Sequence, residues 1–385
     1  MNAKAPMLPL FKWLRAEEAR MTRLLGRFVR AESPSFDKAA VDRFGAIVAA
    51  ECRKRGGKVT VLRQEKRGNH IRAEWRPPGK TDEGQILVLG HLDTVYEAGT
   101  LARTPFRISR GRAYGPGVFD MKAGIVIALF AIDALAAAKV APRKRIVFLW
   151  TSDEEIGSGT SRALIEREAR RSDAVLVLEP ALGPSGCVKT ARKGVGEIEI
   201  VATGRAAHAG LNPEDGVNAI EEIARQIARI VRWKQPSRGI TVSAGLVEGG
   251  TRTNVVPEKA RVVVDVRASR AGDMRALERK FRALRPILRG AKLQIRGGFN
   301  RPPLERRASA TLYGTARLLA SELGVTLGEA SVGGGSDGNF TAALGVPTLD
   351  GLGAVGEGAH SPGEKILIRA MPERAAVVAG LLHTI

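Results

Sequence analysis

Apolar positions along the chain form two kinds of pattern. Short, nearly unbroken apolar runs occur at Ile86–Leu89, Arg145–Trp150 and Asp173–Leu178, as expected of strands buried on both faces. Between them, apolar residues recur at helical spacing. Leu14, Met21, Leu24, Leu25 and Phe28 predict one amphipathic helix from about Phe11 to Arg30, which Pro34 prevents from continuing. Further helices are predicted at Lys38–Lys54, Ala123–Ala138, Ser161–Arg170, Ala308–Leu323 and Met371–Leu382. Gly56 and Gly57 turn the chain into strands at Lys58–Leu62 and Asn69–Trp75, followed by a loop at Pro77–Lys80.

From about Arg192 the texture changes. Gly196–Thr203 alternates like a half-buried strand, with Ile198, Ile200 and Ala202 against Glu197, Glu199 and Thr203. A helix at Val217–Trp233, strands at Ile240–Val247 and Lys259–Arg267, a helix at Asp273–Leu284 and a strand at Lys292–Arg296 follow. The order strand, helix, strand, strand, helix, strand is a split βαβ, ferredoxin-like pattern. The expected organisation is an α/β domain in two parts, 1–192 and 302–385, with an inserted α+β domain at 193–301.

Composition changes little in this picture. The chain has 385 residues, enough for two domains, and 44% of them are hydrophobic, an ordinary globular value. No apolar run reaches the roughly 18 residues of a membrane span. The apolar patch Met7–Trp13 is too short and too soon interrupted by charge for a signal segment, so a cytoplasmic protein is expected. Cys52 and Cys187 have no metal or redox spacing. The formal net charge of +21 would suit nucleic acid, an anionic membrane or an acidic substrate. Basic residues are interleaved with acids throughout, however, and no aromatic-basic module stands out. A solvated basic surface is the preferred reading, anionic substrates the second.

The chemistry lies where the apolar runs end. Thr151-Ser152-Asp153-Glu154-Glu155-Ile156-Gly157 places three acids in a row after a buried strand. Mutual repulsion and partial burial both disfavour their ionised forms, and a cation would relieve both. His91 and Asp93 follow Ile86–Leu89 at a spacing that suits a metal-bound imidazole held by a carboxylate, or an ordinary hydrogen-bonding pair. Asp120 closes a glycine-rich turn before an apolar helix, where it would equally serve as an N-cap. Glu179 ends the third buried run, and His360 sits in the loop Gly358–Gly363. Gly333–Asn339 is a glycine-rich loop whose N–H groups could hold a carboxylate, or a flexible turn. Packing does not ask for acids at successive strand ends, so their recurrence points to a metal site.

Gly90–Val95, Gly115–Lys122, Thr151–Gly157, Glu179-Pro180, Ala207–Gly210, Asn254, Asp265–Arg267, Gly333–Gly338 and His360-Ser361 occur in an order and spacing that resemble one family. This is the dinuclear-zinc exopeptidase and amidohydrolase family of glutamate carboxypeptidase, acetylornithine deacetylase, succinyl-diaminopimelate desuccinylase and aminoacylase. The resemblance runs from about Leu25 to the C-terminus and is strongest to the glutamate carboxypeptidase branch. It implies a catalytic domain with a mixed sheet flanked by helices, and an inserted domain that serves as lid and dimer interface. It implies two zinc ions, with cobalt or manganese as substitutes, bridged by Asp120. One ion would take His91 and Glu179, the other Glu155 and His360. Asp93 would orient His91, and Glu154 would be the base that activates a metal-bridging water. His208 would stabilise the oxyanion across a homodimer interface. Asn254, Arg267 and the backbone of Gly334 and Gly335 would hold the substrate carboxylate. Ala123 and Ala207 replace a common glycine and serine without removing a ligand.

The activity implied is cleavage of an amide next to a free carboxylate, releasing a C-terminal amino acid such as glutamate. An N-acyl-amino-acid deacylase is the alternative, an aminopeptidase-like activity the third, and a non-catalytic basic binding protein a remote fourth. The expected partners are a small peptide or N-acyl amino acid and a second copy of the chain, with no specific nucleic acid and no membrane.

Overall fold

The three apolar runs become neighbouring strands of one sheet. The computed structural model of the protein describes residues 5–77 and 84–385. The sequence-predicted loop at 77–80 falls outside them except for Pro77. Packing divides the chain into two units: Met1–Ala191 with Arg306–Ser331 and Ser336–Ile385, and Arg192–Glu305 with Val332–Gly335.

The first unit holds a six-stranded sheet in the order Lys58–Leu62, His70–Trp75, Arg145–Thr151, Gln85–His91, Ala174–Val177, Thr348–Leu349. The first two pairings are antiparallel and the others parallel, so the sheet is mixed. Alternate side chains of the central strands serve opposite faces, as the strand period requires. Ile86, Val88, Ile146, Phe148, Ala174 and Leu176 enter a large core formed with the N-terminal helices, Ala123–Ala137 and Ala370–Thr384. Leu87, Leu89, Val147, Leu149, Val175 and Val177 meet Leu164, Ile165 and Phe340 on the other face. Burial on both faces is why these runs show no polar alternation. Ala123–Ala137 is apolar nearly all round for a similar reason, being enclosed in the core.

Four short strands form a separate small sheet, in the order Gly356–Glu357, Lys365–Leu367, Arg112–Tyr114, Arg107–Ser109. It pairs Lys365 with Tyr114 and so brings the loop after Tyr114 alongside the loop before Lys365.

The predicted helix at Phe11–Arg30 is in fact two, Met7–Ala16 and Glu18–Val29, broken at Glu17. It starts earlier than expected because Pro9 lies in the first turn, where a missing N–H costs nothing. The apolar patch Met7–Trp13 is thus the packed face of a helix, with Met7, Leu10 and Leu14 buried. Lys38–Lys54 forms as predicted, and the Asp37 side chain caps it by accepting from the Ala40 N–H. No described helix is long and apolar enough to cross a membrane.

The second unit is a four-stranded antiparallel sheet in the order Thr241–Gly249, Lys259–Ala268, Gly194–Thr203, Lys292–Arg301. Ile198, Ile200 and Ala202 point inward, with Val262, Val264 and Val266 beside them. Helices Ala219–Ile230 and Ala271–Arg282 cover this face through Ile223, Ile230, Leu277 and Phe281. The last strand runs five residues beyond its predicted end, because Gly297 and Gly298 carry no apolar signal yet stay in register with Ile198 and Glu197.

Candidate metal centre

The parallel strands all end at one edge of the sheet, the usual place for function in open α/β folds. His91 is the last residue of Gln85–His91 and pairs in register with Thr151. Glu154 and Glu155 lie on a single 3-10 turn after Thr151, and Glu179 follows Ala174–Val177. Asp120 comes from the loop before Ala123–Ala137, and His360 from the loop between the two C-terminal strands of the small sheet.

These residues converge. His91 Nε2 is 3.2 Å from Asp120 Oδ1 and 3.5 Å from Glu179 Oε1. His360 Nε2 is 3.4 Å from Asp120 Oδ2 and 3.2 Å from Glu155 Oε2. Each trio, His91–Asp120–Glu179 and Asp120–Glu155–His360, has its ligand atoms within 4.8 Å of one another. Asp120 belongs to both and turns one oxygen to each. Glu155 Oε1 is buried and has no hydrogen-bond partner. A buried carboxylate oxygen left without a donor, in a mixed nitrogen and oxygen set, fits a divalent cation.

The electrostatics show what the trios do without one. Burial opposes a charged His91, but hydrogen bonds to Asp120, Asp93 and Glu179 carry its pKa well above the ordinary range. Hydrogen bonds to Asp120 and Glu155 raise His360 to about 10. Burial raises Asp120, but the two imidazoles outweigh it and hold the carboxyl far below its usual value. Burial raises Glu155 to about 7. Both imidazoles are thus held toward their charged forms by the acids they face.

Asp93 faces both the ring of His91 and the acidic turn. His91 Nδ1 is 2.9 Å from the Asp93 carbonyl oxygen and 3.5 Å from its carboxylate. That carboxylate is buried and accepts from the N–H groups of Glu154 and Glu155, both at 3.2 Å, and from Ser35 Oγ at 2.8 Å. His360 has φ of 61°, a left-handed backbone that costs an L-residue about 1–2 kcal/mol. The turn that follows is held by Ser361 Oγ on the Gly358 carbonyl, with Tyr96 Oη lying beside the Ser361 carbonyl.

The remaining expected residues lie in the second unit. His208 and Asn254 are brought together: His208 bridges Val255, and the Ala209 N–H donates to the Asn254 carbonyl. His208 is exposed, and its Nδ1 accepts from the N–H groups of Gly210 and Leu211, which leaves the proton on Nε2. Arg267 does not present an open fork. It donates from Nε and one terminal nitrogen to Asp265 and from the other to the Gly333 carbonyl, which leaves one N–H on each terminal nitrogen. The carbonyls of Gly334 and Gly335 accept from Arg192.

Several further residues support the centre. His70 is fully buried behind the acidic turn, 3.0 Å from Ser152 Oγ and 3.2 Å from Thr160 Oγ1. Asp153 accepts from the N–H and Oγ1 of Thr160 and so shapes that turn. Asp337 accepts from Thr151 and Ser158. Glu364 accepts from three backbone N–H groups of the Asp120 loop.

Two cavities flank the trios. One of about 400 Å³ beside Asp120 is lined by Phe119, Pro180, Leu182, Val355 and Ala359, with Arg112, Lys189 and Lys365 among its polar residues. One of about 450 Å³ beside Glu155 is lined by Phe36, Val95, Tyr96 and Ile156.

Residues 87–384 match the model of peptidase family M20/M25/M40. The chain belongs to this family. It is a hydrolase of the metallopeptidase and amidohydrolase type. This M20 chain is similar to carboxypeptidase G2 of Pseudomonas sp. (strain RS-16), 31% identical over 384 residues, covering 97% of this chain and 91% of the relative. It is also similar to succinyl-diaminopimelate desuccinylase of Dechloromonas aromatica (strain RCB), 28% identical over 319 residues, covering 77% and 82%. Among solved structures it resembles the YXEP protein of Bacillus subtilis, a dinuclear metal binding peptidase of family M20. The TM-score is 0.71 at 17% identity, covering 96% of this chain and 99% of that one.

Proposed function

We propose that this M20 hydrolase holds two divalent ions and cleaves an amide bond next to a free carboxylate, releasing a C-terminal amino acid, glutamate first. The observation that carries the reading is Asp120, whose two oxygens each face a different imidazole and carboxylate. His91, Asp120 and Glu179 would hold one ion, and Asp120, Glu155 and His360 the other. Zinc suits such a mixed imidazole and carboxylate set, with cobalt or manganese as substitutes. The dinuclear character of the YXEP protein supports the pair of ions. Bound there, they would supply Lewis acidity for the scissile carbonyl and an ionisable water.

Glu154 is then the proton carrier. It takes a proton from the water that attacks the carbonyl carbon, and returns one to the amide nitrogen as the C–N bond breaks. A carboxylate product and a free amine result. His208 donates an N–H to the developing oxyanion, supplied in a homodimer formed through the inserted domain, and Asn254, Arg267 and the Gly334-Gly335 segment hold the substrate carboxylate. Arg267 has N–H groups to offer but must share its fork with Asp265. The two cavities have room for small substrates, within the usual range for ligand sites.

The likeness to carboxypeptidase G2 favours carboxypeptidase action. The likeness to a desuccinylase supports the second reading, an N-acyl-amino-acid deacylase. A panel of peptidyl and N-acyl amino acids, run with chelated and zinc-, cobalt- or manganese-loaded protein, separates the two by which amides are cut. Glu154→Ala should keep both ions and lose about 10²–10⁴-fold in turnover. Full turnover in that variant removes Glu154 from the mechanism, and a metal-free protein that still cleaves the panel removes the ions.

A further inference from the structure

Asp120 can serve both trios only if its loop holds it between them, and something must fix that loop. We propose that Glu364 is a positioning residue for the metal centre: its carboxylate clamps the backbone beneath Asp120 so that one Asp120 oxygen is turned to each imidazole. This rests on the assignment of Asp120, His91 and His360 as ligands made above.

Glu364 is 1% exposed. Its Oε1 accepts from the N–H of Phe119 at 2.7 Å and of Asp120 at 2.8 Å. Its Oε2 accepts from the N–H of Gly117 at 3.0 Å and from Tyr96 Oη at 2.5 Å. Four donors on two oxygens use the full accepting capacity that only an ionised carboxylate offers at this size. The same residue ends the turn that presents His360, through its N–H on the Ser361 carbonyl. Register does the rest: the next residue, Lys365, pairs with Tyr114, immediately before the glycine-rich loop. Glu364 thus ties the Asp120 loop to the His360 loop. Tyr96, whose one proton lies on Glu364, has its oxygen 2.9 Å from the Ser361 carbonyl and closes the third side.

A plug that merely satisfies buried N–H groups would affect folding alone. A clamp that sets Asp120 must affect metal affinity, and at both trios, because Asp120 belongs to each. Groups that orient metal ligands typically change affinity by about 10–100-fold when removed. Gln fits the same space but offers one accepting oxygen, and its amide N–H₂ would face the Gly117 N–H.

The test is titration of chelator-stripped, full-length protein with Zn²⁺ against a chromophoric competitor, with melting temperatures measured in parallel. E364Q should weaken both binding steps about tenfold and E364A about a hundredfold. Y96F, which leaves the three backbone donors in place, should shift them less than E364Q. H360A should weaken one step only. Val264→Ala, a core truncation in the second unit, should lower the melting temperature and leave both constants alone. Wild-type constants in E364Q and E364A would overturn the proposal. So would a loss in V264A that matches theirs at equal melting temperature. If E364A does not fold, isosteric E364Q decides. Wild-type protein that binds no Zn²⁺ sinks the ligand assignment itself, a result distinct from normal binding in E364Q, which sinks only the clamp.

Discussion

His360 and Glu155 set how the metal-free centre answers to pH. Hydrogen bonds to Asp120 and Glu155 raise His360 to about 10, and burial raises Glu155 to about 7. Both groups bind protons more tightly in the folded state. The stability they contribute is complete below their ordinary ranges and is lost as pH rises through about 7 for Glu155 and about 10 for His360. Asp120 has the opposite sign: its lowered value stabilises above the ordinary carboxyl range and fails on acidification. Chelated protein should therefore melt at falling temperature between about pH 5 and about pH 9. With ions bound, the imidazoles carry no proton on Nε2, so that fall should disappear and stability should instead rise with pH up to the ordinary histidine range. For the same reason, loading metal near neutral pH should release protons, measurable by calorimetry in buffers of different ionisation enthalpy. Equal slopes with and without metal, or binding without proton release, would contradict the assignment of His91 and His360.

The elements show which parts of the molecule a sequence can announce. Gln85–His91, Arg145–Thr151 and Ala174–Val177 were legible because burial on both faces writes an unbroken apolar run. His91, Glu155 and Glu179 were legible because polar groups at the ends of such runs have no packing reason to be there. The small sheet was not, since its strands have two or three residues and no period can show in them. Glu364 was hidden with it: an acid four residues after His360 means nothing until the register with Tyr114 is known. The break at Glu17 was equally silent, because the apolar spacing continues across it. Close packing between helices leaves its mark at Gly380, where a Cβ would lie 2.6 Å from Met7 Sδ and 3.1 Å from Leu319 Cδ1. Ala370–Thr384 packs there against Met7–Ala16 and Ala310–Ser321. Gly380→Val should crowd the Met7 and Leu319 side chains out of their places and cost about 1–3 kcal/mol in denaturant unfolding. Turnover per folded molecule should stay at the wild-type value, since no metal-centre residue lies on these helices. Unchanged stability would show that the packing yields without cost.

At the scale of the whole molecule, the two units have separate cores, and every residue of the two trios belongs to the first. Ligand binding stabilises only what it binds, by about 2.7 kcal/mol per site when the ion is at a hundred times its dissociation constant. Without ions, Asp153, Glu154, Glu155, Asp120 and Glu179 crowd one edge of one sheet, and the protonated imidazoles only partly offset them. Chelation should therefore loosen the first unit selectively. Amide hydrogen exchange can read this strand by strand. On metal removal, protection should fall in Gln85–His91, Arg145–Thr151 and the 3-10 turn at Glu154–Ile156. It should stay level in Gly194–Thr203 and Lys259–Ala268, whose partners are all within the second unit. A uniform loss across both sheets would mean that the ions stabilise the chain as a single cooperative body. No change anywhere would mean that the acidic edge is stable by itself, and that the electrostatic case for two ions is wrong.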